Sequence, residues 1–131
     1  MQHMLGRRQK VDLDKEQKHR IFSMVYYKLS SDPNFTFEVS PEGVPYRFTM
    51  KSIRGLMYCT IETIEGRRIS GPKRICNGEW LIPYDAYNFN GMGNFMCIDC
   101  EGQYPDFERF ETSCELRYYT KDEIEELEKM V

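Results

Sequence analysis

Cysteine has the widest chemical range of any side chain in this sequence, and two of the five cysteines sit three residues apart in NFMCIDCEGQYP, residues 94–105. A Cys97-x-x-Cys100 pair is half of a zinc knuckle, a redox site, or two packed thiols. Structural zinc takes four ligands. Beyond the pair there are only single cysteines, Cys76, Cys114 and Cys59, with no second CxxC and no HxxxH. In an extended strand, side chains three apart face opposite ways, so Cys97 and Cys100 share a metal only if the chain turns between them. Asp99 and Gly102 would permit such a turn. Redox chemistry of the thioredoxin kind needs the first thiol at a helix N-terminus. Here an apolar strand precedes the pair, with Asp99 inside it and Glu101 directly after, and negative neighbours raise a thiol's pKa. The expectation is two ordinary thiols at a strand end, with no metal and no cofactor. A small enzyme, or a domain stabilised by zinc on Cys97 and Cys100 with Cys76 or Cys114, is the alternative.

Other catalytic inventory is thin. The two histidines are His3, in the expected arm, and His19, on a polar face of the first predicted helix, and neither is evidently placed to serve a cysteine or serine. Asp106, Glu115 and Arg117 superficially resemble the acid set of metal-dependent nucleases, with arginine where a lysine belongs. Asp99, Glu101 and Asp106 could hold Mg²⁺, but an exposed acidic loop explains them equally well. The segment GMGN at 91–94 has neither the glycines nor the strand-to-helix context of a phosphate loop. The chain is therefore expected not to be an enzyme.

These residues must be positioned by a chain of 131 residues, the size of one domain with one core. A basic arm over 1–11 and a single α+β domain over 12–131 are expected. Nine Tyr, eight Phe and eight Met supply the buried area, so a mean hydropathy of -0.64 does not imply disorder. From Asp12 or Asp14 onward, Ile21, Phe22, Val25 and Leu29 recur at helical spacing, which predicts a helix ended by SSDPN at 30–34. The period then becomes two: Phe35, Phe37 and Val39 against Tyr46, Phe48 and Met50 predict a hairpin around PEGV. Further strands are expected over 55–64, near 79–83, in FMCID and within 107–119. Thr120 with Glu123 forms a capping box that opens a C-terminal helix with Ile124, Leu127 and Val131 inward. The fold class is read as α+β: a mostly antiparallel sheet of about five or six strands, with the N-terminal and C-terminal helices packed on one face.

Net charge is -3, which argues against a surface that is basic throughout. No apolar stretch of signal-peptide or membrane-span length is present, and five cysteines suit a reducing compartment, so an intracellular, cytoplasmic protein is expected. With catalytic groups missing, the leading expectation is a module that binds another protein. Its predicted surface is Arg20, Met24 and Tyr27 on a second arc of the first helix, with Tyr87, Phe89 and Met92 in the glycine-containing loop, types enriched in interface cores. Single-stranded nucleic acid is the alternative partner, through Arg47, Lys51, Arg67, Arg68, Lys73 and Arg74 with nearby tyrosines for stacking. A homodimer through an exposed strand edge is also compatible with the sequence.

Overall fold

The computed structural model describes residues 2–4, 6–12, 21–83 and 93–129. Its strands are β1 (Gln2–His3), β2 (Arg7–Asp12), β3 (Ile21–Lys28), β4 (Asn34–Val39), β5 (Tyr46–Ile53), β6 (Leu56–Thr63), β7 (Arg68–Arg74), β8 (Asn94–Asp99) and β9 (Cys114–Tyr119), followed by helix α1 (Lys121–Lys129). They form two sheets, one ordered β1-β4-β5-β6-β7 and the other β2-β3-β9-β8. All neighbours are antiparallel except β1 and β4, which run parallel.

The predicted helix at the start of the chain is corrected. Residues 21–28 are strand β3, paired with β2 on one side and β9 on the other. The run IFSMVYYK is rich in β-branched and aromatic residues, which favour a pleated surface. Its apolar positions fit both periods: Val25, Tyr27 and Leu29 alternate, and Tyr27 and Leu29 are buried while Lys28 is exposed. A short apolar run does not by itself decide between helix and strand. α1 is the helix of the described residues, so a fold with helices from both termini on one face is replaced by two sheets plus one C-terminal helix. The stretch expected as an arm carries β1 and β2. Its polar composition suits an edge strand, where charge discourages pairing with other chains.

The β4–β5 hairpin has the inferred register, Phe37 opposite Phe48 and Val39 opposite Tyr46. Its turn places Glu42 at φ 54 and Gly43 at φ 78. The next hairpin turns on Arg54 and Gly55 at φ 53 and 79, two left-handed residues in a row, as the twist of a two-residue hairpin demands. Of the expected strand in 79–83, only a bridge from Trp80 to Met96 forms, and within 107–119 the strand begins at Cys114.

The core lies between the sheets. Phe37 stacks on Phe48 at 5.1 Å between centroids, and Phe48 meets Phe95 of the other sheet edge-on at 4.8 Å. Tyr118 fixes one end of this core. Its hydroxyl donates to the Glu42 carboxylate in the β4–β5 turn and accepts the Gly93 N–H at 3.1 Å, joining the two sheets. α1 begins with the expected capping box: the Glu123 carboxylate accepts the Thr120 N–H at 2.8 Å and the Thr120 hydroxyl accepts the Glu123 N–H at 3.2 Å. The buried Ile124 then packs with Tyr119, Trp80, Met96 and Leu127.

Candidate functional site

The cysteine pair is split by the strand it ends. Cys97 points into the core, whereas Cys100 is exposed beyond the end of β8. The neighbour of Cys97 is Cys114 of β9, with 3.5 Å between sulfurs. The hydrogen bond with Cys114 and burial together push the Cys97 thiol well above its ordinary value. Burial does the same for Cys59, deep in β6. At neutral pH these thiols stay protonated, so they lack the thiolate that nucleophilic or ligand chemistry requires. Among the described residues, no three His, Cys, Asp or Glu side chains converge as a metal site.

The acidic loop beside the pair is held by ion pairs. The buried Asp99 carboxylate accepts from Arg109 Nε at 2.9 Å and from the Glu101 N–H at 2.9 Å. Burial alone would raise this carboxyl, but those donors outweigh it and hold it below the usual range. Asp106 lies 4.0 Å from the same guanidinium, while Glu115 pairs with Arg117 at 2.8 Å. Asp106, Glu115 and Arg117 are thus engaged in separate ion pairs. A cavity of about 420 Å³ between β7 and α1 is lined by Lys73, Trp80, Asn94 and Glu128. There, Lys73 Nζ donates to the Trp80 carbonyl at 3.0 Å, and the Asn94 amide bonds the Ile82 backbone at 3.1 and 2.9 Å. These polar groups serve the fold.

Of the predicted protein-binding residues, Tyr27 is in the core at 2% exposure, and burial pushes its phenol up to about 12. Met24 lies in β3 opposite Gln9. The helical arc that would have joined Met24 and Tyr27 to Arg20 is absent, because this stretch is a strand. Arg20, Tyr87, Phe89 and Met92 lie outside the described residues.

The basic set is better gathered, because β-sheet register stacks residues from different strands on one face. Residues on β4 to β7 that point away from the core form three rungs. The first reads Glu38–Arg47–Glu62–Arg68, alternating in sign, with Arg47 3.7 Å from Glu38. The second is Thr36–Thr49–Thr60. The third reads Asn34–Lys51–Tyr58–Arg74. A shallow concavity of about 280 Å³ lies on this face, lined by residues of all three rungs. Arg67 is outside the rungs, in the β6–β7 turn, and Lys73 points to the other side, toward Trp80.

Around the third rung the surface becomes apolar and aromatic. Tyr104 is 67% exposed, the Arg74 guanidinium lies 5.2 Å from its ring centroid, and Ile53 is 47% exposed at the adjacent hairpin tip. Among the described residues, neither Lys51 nor Arg74 has a carboxylate within 4.0 Å. Sequence reasoning missed Tyr104 and Ile53. Tyr104 stands in the very segment read for its cysteines, and a tyrosine after Gly102 in a polar turn was the available signal. Arginine and tyrosine around exposed aliphatic groups are the composition of interface cores. The arrangement can hold a carboxylate-bearing or aromatic surface, and it offers no group poised for bond-making.

No helix among the described residues is long and apolar enough to cross a membrane. No curated protein matches the chain. Residues 24–122 match the family described as the cyanophage baseplate Pam3 plug gp18. That span takes in most of β3, all of β4 to β9 and the two-sheet core, and on it the chain belongs to the Pam3 gp18 baseplate plug family.

Proposed function

We propose that the chain is a structural subunit of a phage tail baseplate, working through contacts with other proteins and without catalytic turnover. The observation that carries this reading is the family match over residues 24–122, which covers the whole shared core of the two sheets. The side-chain chemistry supports it. The buried Cys97 and Cys59 thiols are protonated, the Asp99 carboxylate is tied to Arg109, and the half-buried Arg74 with the exposed Tyr104 and Ile53 has the composition of a contact surface. The contact face within this reading is the third rung with the hairpin tip, in place of the helical arc expected from sequence.

The test is to purify tailed particles from the phage or prophage that encodes the chain and label them with antibody-gold. Label at the tail end farthest from the head is expected. Absence of the chain from purified particles, by labelling and by mass spectrometry, would remove the proposal.

A second reading has its own observation. Lys51, Arg74, Tyr58 and Tyr104 combine cations with ring faces, the two components of a single-stranded nucleic-acid surface. It predicts retention of oligo-dT that falls steeply with salt. Retention unaffected by neutralising Lys51 and Arg74 would remove it.

A further inference from the structure

We propose that the Lys51–Tyr58–Arg74 rung is the docking site for the acidic C-terminal helix of a second copy of this chain. The rung presents two cations with no carboxylate of their own sheet beside them, flanked by Tyr104 and Ile53. The complementary charge is on α1. Its Glu123 carboxylate is used in the cap and Glu126 lies 3.6 Å from Lys129, which leaves Asp122, Glu125 and Glu128 exposed against one further lysine, Lys121. Asp122 and Glu125 lie about 160° and about 100° around the helix from the buried Ile124, whereas Glu128 lies about 40° from it and lines the cavity with Lys73, so the outward stripe is Asp122 and Glu125.

Within one chain the helix is anchored to Tyr119, Trp80 and Met96, while the rung faces outward from the other sheet, so the stripe meets the rung of a neighbour. Two unlike surfaces joined this way make a head-to-tail contact, which closes into a ring or continues as a filament. Neither outcome requires the baseplate reading. Most of α1 also lies beyond the residues that match the family.

The test is sedimentation equilibrium of the full chain across concentration, at about 0.02 M and about 0.5 M NaCl, conditions that differ several-fold in screening length. At low salt the weight-average mass should climb above 15.7 kDa with concentration, and at high salt it should return to that value. Lys51→Glu with Arg74→Glu should hold the mass at the monomer value, as should Asp122→Lys with Glu125→Lys. An equimolar mixture of these two variants should associate again, because each reversed surface finds a reversed partner. The neutral pair Asp122→Asn and Glu125→Gln, with helicity checked by circular dichroism, separates lost charge from a lost helix and should also stay monomeric. A wild-type mass of 15.7 kDa at every concentration would overturn the proposal. So would association that survives either reversal, or failure of two folded variants to recombine. A monomeric wild type whose oligo-dT binding is lost in the Lys51/Arg74 variant would overturn it in favour of nucleic acid. The baseplate reading is tested separately, by the presence of the chain in particles.

Discussion

The two ends of one sheet face differ in how their charges are balanced. At the end near the β4–β5 turn, Glu38, Arg47, Glu62 and Arg68 alternate in sign across four strands. At the other end Lys51 and Arg74 flank Tyr58, beside the exposed Tyr104 and Ile53. In the first rung each cation has a carboxylate opposite it on a neighbouring strand, and Arg47 lies 3.7 Å from Glu38. The second sets Arg74 over the Tyr104 ring and, among the described residues, brings no carboxylate within 4.0 Å of Lys51 or Arg74. Net charge alone, -3 for the chain, conceals this contrast, because specificity lies in where charge is unpaired.

The largest expected effect breaks both ends together. Phe48 is fully buried between Phe37 and Phe95, so Phe48→Ala should cost about 3–5 kcal/mol through lost burial and the cavity left behind. Urea denaturation should show the loss. A change below about 1 kcal/mol would mean that the two sheets do not share this core.

Next comes the buried ion pair, against which the exposed rung can be calibrated. Asp99→Asn should cost about 1–3 kcal/mol, since the Arg109 guanidinium loses the closer of its two carboxylate partners. The sign with pH follows from the direction of the shift. The folded carboxyl lies below its ordinary value, so its contribution is full above the unfolded value of about 3.9 and disappears as pH falls through the folded one. Thermal melts from pH 6 downward should show a steeper acid loss in the wild type than in Asp99→Asn. Parallel acid limbs in the two proteins would contradict this.

The comparison itself is sharpened by a smaller pair of effects. Arg47→Ala should destabilise by about 0.2–1 kcal/mol at low salt, because it leaves Glu38 and Glu62 flanking an empty position. Lys51→Ala should change stability by less than about 0.5 kcal/mol, as it breaks no ion pair among the described residues. Equal effects at the two positions would erase the distinction between the ends.

How far the sequence could be read followed from how local the determining physics was. The β4–β5 hairpin and the Thr120–Glu123 cap are set by neighbours in the chain, and both are found with the inferred partners. The prediction failed at 21–28, where Ile21, Phe22, Val25 and Leu29 satisfy a helical stripe but pairing with β2 and β9 decides the outcome. That decision is non-local. The polar run at 7–12 carries little apolar pattern because it is an edge strand, so it looked like an arm. The rungs were only half legible. Arg47 and Lys51 fall on one face of the first hairpin, as expected, but their alignment with Glu62, Tyr58 and Arg74 depends on register across two further strands. Tyr104 was missed because an exposed tyrosine in a turn has no periodic signature.

The most direct measurement is a cryo-EM map of an assembled particle that contains the chain. The account predicts that another polypeptide covers Lys51, Tyr58 and Arg74, while Glu38, Arg47, Glu62 and Arg68 face solvent. A map in which the alternating rung is covered and the cationic rung is bare would contradict it.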